Sequence, residues 1–157
     1  MTKSEAYSSI NSCERQINEC NEDIYRKTKQ IEELLELERS LKNAEHKFNE
    51  EQQARKNSLH KLADVHRQPK MLSKYISDIK GVLSGTEYRS AISELEKVKT
   101  STHRKIQELQ QAIVDLKRRI SSLENQISSL RSMIRSIEAE EERRYSEQRL
   151  NSVRRIY

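Results

Sequence analysis

One heptad register runs through ten seam positions near the end of this chain, and it limits the possible folds more than any other feature. Its a positions are Ile106, Ile113, Ile120, Ile127 and Ile134, and its d positions are Leu109, Leu116, Leu123, Leu130 and Ile137. That spacing puts all ten side chains on one face of a helix, and packing against another helix is what takes such a face out of water. The pattern starts weakly at Ile92 and Leu95, is diluted at Lys99 and Thr102, and fades after Ile137. A thinner register occupies the first part of the chain. Its a positions are Ile10, Ile17, Ile24, Ile31, Glu38, Glu45, Gln52 and Leu59. Its d positions are Ala6, Cys13, Cys20, Lys27, Leu34, Leu41, Phe48, Arg55 and Leu62.

These registers decide how the composition is read. Of 157 residues, 33% are hydrophobic and 35% charged, with one Pro, one Phe and no Trp. Such a chain is too polar for a thick globular core, and similar compositions also mark disorder. Two long arms, each in one unbroken register, argue for helix instead.

The flanking positions say how many helices meet. Ile at a with Leu at d favours parallel two-stranded coils, so a homodimer is an option. In a parallel homodimer each g residue meets the e residue five further on, and of these pairs only Arg119–Glu124 is ionic. Ala112 and Met133 at g, with Leu35, Leu37 and Ala44 at e and g of the first arm, widen the apolar stripe. A wide stripe suits a bundle of three or more helices. The expected fold is therefore all-α: a long antiparallel helical hairpin (a coiled coil) with a Pro/Gly-broken tip, part of a larger helical bundle. It forms one domain over residues 1–157, with arm one at about 4–66, a tip segment at about 67–86 and arm two at about 87–155.

In an antiparallel pair, facing residue numbers have a constant sum. A sum of 154 sets Ile17 against Ile137, Ile24 against Leu130, Ile31 against Leu123 and Phe48 against Ile106, with the turn near residue 77. A sum of 168 centres the turn on Ser84 and sets Lys27 opposite Glu141. Both close the heptads, and sequence does not choose between them.

Pro69 ends or kinks the first arm. Leu72, Ile76, Ile79 and Leu83 then predict a short amphipathic helix over about 70–83. "GVLSGTEY", residues 81–88, holds both glycines of the chain. Gly85 is expected to take the left-handed conformation that stops a helix, and Thr86 to cap the next one above Glu87.

No metal, nucleophile or phosphate motif is present, so neither catalysis nor a cofactor is expected. His46, His60, His66 and His103 are scattered, and adjacent acids such as Glu32–Glu33 point in different directions along a helix. Cys13 and Cys20 are seven apart, about 10 Å of helical rise and too far to bridge each other. They read as small seam residues, or as an interchain disulfide of a parallel dimer. The last fifteen residues hold five Arg and one Glu. That suits a helix end better than a nucleic-acid site, because no aromatic platform accompanies it. No apolar run approaches the roughly 18 residues of a membrane span, and no leader opens the sequence.

Val82 to Ile134, beginning "VLSGTEYRSAISELEKV", resembles the central turn and second helix of the small helical-hairpin helper proteins linked to LXG-type toxins of the bacterial type VII (ESX-like) secretion system. In that WXG-like family a W-x-G turn joins two helices. Leu83-Ser84-Gly85 stands at that turn, with Leu83 in place of Trp, followed by Tyr88 and Ile92. The resemblance implies a hairpin tip at Leu83, Ser84, Gly85 and Tyr88. It also implies a targeting factor that binds the toxin's helical N-terminal domain beside a second small helical protein. It implies a cytoplasmic protein, co-exported without a signal peptide. The family's export signal, an aromatic with an acid four residues on, is missing: Tyr7 is followed by Asn11, Phe48 by Gln52, Tyr88 by Ile92 and Tyr145 by Arg149. The expected seam and partner-binding residues are the Ile, Leu and Phe positions from Ile17 to Phe48 and from Ile106 to Ile137 named above, together with Leu35, Leu37 and Met133. The alternative function is an intracellular coiled-coil scaffold or homodimeric subunit unrelated to secretion.

Overall fold

The structure is a computed structural model and describes residues 1–63, 70–83 and 85–154, with residues 63, 70–72 and 152–154 as backbone only. It is an all-α helical hairpin. Helix α1 covers Lys3–Ala63, α2 covers Lys70–Leu83 and α3 covers Thr86–Arg154. The two long helices are unbroken because residues 1–68 and 86–157 contain neither Gly nor Pro. Their many hydroxyl side chains bond back along the helix, as from Ser9 to the Glu5 carbonyl and from Thr102 to the Val98 carbonyl, both at 2.9 Å. The start of α1 is a capping box: the Thr2 hydroxyl accepts from the Glu5 N–H at 3.3 Å, and the Glu5 carboxylate accepts from the Thr2 N–H at 2.8 Å. No helix among the described residues is long and apolar enough to cross a membrane.

Two compact units make up the chain. Unit 1 is Met1–Thr28 with Gln111–Tyr157, and unit 2 is Lys29–Gln110. In unit 1, α1 and α3 pack through Ala6, Ile10, Cys13, Leu123, Ile127 and Ile134, with Ile17 and Leu130 against this cluster. In unit 2 the buried residues are Leu59, Ile76, Ile106 and Leu109, with Gln52 and Thr102 among the polar ones.

Facing residues correct the expected register. Unit 1 pairs Lys3 with Glu138, Cys13 with Gln126, Gln16 with Arg119 and Glu14 with Arg131, numbers that sum to about 140. Unit 2 pairs Glu38 with His103 and Glu45 with Lys99, again close to 140. Neither 154 nor 168 describes the seam. All three sums set a positions against d positions, so the heptads tolerate each. The polar layers break the tie. A sum of 154 would put Glu38 against Leu116 and Glu45 against Leu109. The observed register gives these two carboxylates cationic partners and leaves the Ile/Leu stretch of α3 to Ala6 through Leu34.

The expected tip is corrected as well. Along α1, Glu45 meets Lys99, Phe48 and Asn49 meet Tyr88, and Ala54–Leu59 share a cleft with Ile79 and Leu83. Partner numbers fall steadily as α1 advances, so α2 and the start of α3 both run antiparallel to α1. The chain has already reversed direction when α2 begins. Leu83, Gly85 and Tyr88 therefore lie within the returning arm and not at its tip; Ser84 and Pro69 lie outside the described residues.

No described glycine has positive φ, so the left-handed expectation for Gly85 also fails. The residue is needed for space: a Cβ there would sit 2.8 Å from the Gly81 carbonyl oxygen. The Gly85 N–H bonds to the Val82 carbonyl at 3.2 Å, and its own carbonyl accepts from the Arg89 N–H at 3.3 Å. Gly85 is thus the N-cap of α3, and Thr86, expected in that role, is the first helical residue.

Candidate partner-binding surface

The expected seam residues divide by exposure. Ile106, Leu109, Leu123, Ile127 and Ile134 are buried within the chain's own hairpin. Ile17, Ile24, Ile31, Leu34, Leu41, Phe48, Ile113, Leu116, Ile120, Leu130 and Ile137 are half-buried. Leu35, Leu37 and Met133 remain 40%, 42% and 39% exposed. No large side chain is completely buried. A two-helix seam has only one covered side, which explains the half-burial.

Heptad positions e and g form the two flanks of each unit, and the flanks differ. The e side of α3 carries ionic contacts between arms. In unit 1, Lys3 meets Glu138 at 2.7 Å and Arg131 meets Glu14 at 3.4 Å. The hydrogen bond from Lys3 to Glu138 raises the lysine pKa above its ordinary value. In unit 2, Lys99 lies 2.8 Å from both Glu45 and Glu96, and His103 lies 3.3 Å from Glu38. Bonding to Glu45, then to Glu96, raises the Lys99 pKa, and Lys99 in turn holds Glu96 below the usual carboxylate range.

The g side is less polar. In unit 1 it holds the Gln16–Arg119 hydrogen bond at 3.1 Å and a 3.7 Å contact from the Cys13 thiol to Gln126. In unit 2 its positions are Leu37 and Ala44 on α1 and Ala91 and Val98 on α3, all exposed, Val98 by 45%. Cys13 and Cys20 are free and buried, which fits the small-seam-residue reading.

Tyr88 ties α3 to α1. Its ring stacks on Phe48 with centroids 5.3 Å apart, its hydroxyl donates to Asn49 Oδ1 at 2.9 Å, and Lys56 Nζ lies 5.7 Å from the ring centre. Among the described residues, no group of three His, Cys, Asp or Glu comes together to hold a metal ion. Sequence reasoning passed over the Thr2–Glu5 capping box, although T-x-x-E ahead of a helix is a recognisable signal. It also treated Gln52 and Thr102 as mere dilution of the seam, yet both are buried, and Gln52 Oε1 has no hydrogen-bond partner. Comparison with protein-family models, curated proteins and solved structures finds no match.

Proposed function

We propose that this chain is a non-catalytic binding protein whose hairpin takes helices of a partner onto its open seam, completing a larger bundle. The supporting observation is unburied surface. The chain exposes 12701 Å². A compact monomer of its 18.6 kDa would expose about 8200 Å² by the size scaling of folded proteins. Leu35, Leu37 and Met133 are part of that surplus, at flanking positions that a third or fourth helix covers in a bundle.

The partner class comes from the sequence resemblance: the helical N-terminal domain of an LXG-type toxin, joined by a second small helical protein. On this reading the chain is a cytoplasmic targeting factor, exported with its toxin or left behind once the complex is presented. With Leu83 and Gly85 inside the returning arm, the turn motif gives that partner class no support, and binding has to be tested directly. The scaffold alternative uses the same surface with a different partner.

The experiment is light scattering on the chain mixed with an LXG domain, alone and with the second small protein. A stable complex is expected, weakened at least tenfold by Met133→Glu or Leu35→Glu, because a charge placed in an apolar contact is costly. Absence of any complex up to about 100 µM, where even weak specific pairs associate, would end the toxin reading.

A further inference from the structure

The g side of unit 2 has a charge pattern of its own. Its apolar strip is Leu37 and Ala44 on α1 beside Ala91 and Val98 on α3. The next positions outward, at c, form its two rims. On α1 these are Glu33, Ser40 and Lys47, and on α3 they are Glu94, Ser101 and Glu108. The Glu45–Lys99 contact sets the level of one arm against the other. It puts Lys47 across the strip from Glu94, Ser40 across from Ser101, and Glu33 across from Glu108.

A two-fold axis parallel to the helices would lay this strip on the same strip of another molecule, with each α1 beside the other's α3 at the same level. Lys47 then meets Glu94 of the second molecule, twice per pair. Ser40 meets Ser101 at the centre, where no charge has to be desolvated. Glu33 and Glu108 meet unfavourably, offset by Lys105, which lies 3.4 Å from Glu108 within the chain. Ala44 and Ala91 allow close approach of the helices, and half-buried Leu41 and Leu95 lie beneath the strip.

From this complementarity we propose that unit 2 binds a second copy of this chain through the side bearing Leu37, Ala44, Ala91 and Val98, forming a four-helix bundle. Apolar burial supplies the affinity, and the Lys47–Glu94 pairs select the orientation. The claim is independent of the toxin reading, since it needs only the purified chain.

Sedimentation equilibrium over about 1–500 µM, the range of weak to moderate protein pairs, measures it. The expected mass moves from 18.6 kDa towards twice that value. Val98→Glu should raise the dissociation constant at least tenfold. Lys47→Glu should weaken the pair severalfold, and adding Glu94→Lys to Lys47→Glu should restore it. All three positions are exposed, so helicity by circular dichroism should stay unchanged. A mass of one chain throughout the range overturns the proposal. So does a dimer that ignores Val98→Glu, or one in which the double reversal fails to restore what Lys47→Glu removed.

Discussion

The two glycines of this chain do opposite work four residues apart. Gly81 sits inside α2 with nothing within 4 Å of an added Cβ, so it contributes only backbone freedom to the unfolded state. Gly81→Ala should raise stability by about 0.5–1 kcal/mol. Gly85→Ala pushes a methyl into the Gly81 carbonyl and should destabilise by about 1–3 kcal/mol, the range of local backbone strain. Urea denaturation of both variants checks the pair, and equal effects would contradict the described break.

The shifted groups fix the expected pH profile. Glu5, held low by the Thr2 N–H, and Glu96, held low by Lys99, stabilise the fold above the ordinary carboxylate pKa. That contribution is lost as pH falls through their lowered values. Lys3 and Lys99, both raised, stabilise fully below the ordinary lysine pKa and lose their contribution as pH climbs through the raised values. Tm should be flat between about pH 5 and pH 10 and fall on either side. Lys99→Met should shrink both falling limbs, since the lysine serves Glu96 as well as itself. A profile unchanged by that substitution would remove the cluster from the account.

At the scale of helices, register is the quantity to test. A zero-length carbodiimide should join Lys3 to Glu138 and Lys99 to Glu45, whose charged atoms are within 2.8 Å. Peptide mapping that found neither link would overturn the register. The buried part of the seam predicts a second contrast. Leu123→Ala should cost about 2–3 kcal/mol, towards the low end for a packed leucine because its surroundings are only partly enclosed. Exposed Met133→Ala should stay within about 0.5 kcal/mol in the isolated chain.

These elements also show where sequence reasoning stops. The arms and the residues of their seam were legible, because Ile and Leu at fixed spacing have one use. The register was not. A constant sum can change by seven and still set a against d, so apolar positions alone leave a ladder of solutions. The deciding residues were polar: Glu38 and Glu45 needed His103 and Lys99. Attention to the glycines also centred the reversal too late in the chain, since a break inside a returning arm uses the same residue types as a turn. The open g side was half legible. Leu37, Ala44 and Met133 stood out as excess apolar residues, but their relation to Ala91 and Val98 depended on the register.

For the whole chain, the surplus of exposed surface has a calorimetric counterpart. Heat capacity of unfolding follows the apolar surface newly exposed, and ordinary globular proteins show about 12–15 cal/mol/K per residue. A chain that keeps 12701 Å² in water while folded should fall clearly below that range when measured at low micromolar concentration. A full globular value would mean that the isolated chain buries more than its hairpin seam.

Cys13 and Cys20 give unit 1 a clock of its own. Both thiols are buried, so a reagent in solution reaches them only when the first part of α1 lifts from α3. The rate of their modification, compared with that of an unfolded thiol, then reports how often this seam opens. A partner that closes over unit 1 should slow that clock, and one that binds elsewhere should leave it running, so two native side chains can locate a binding event without any label being introduced.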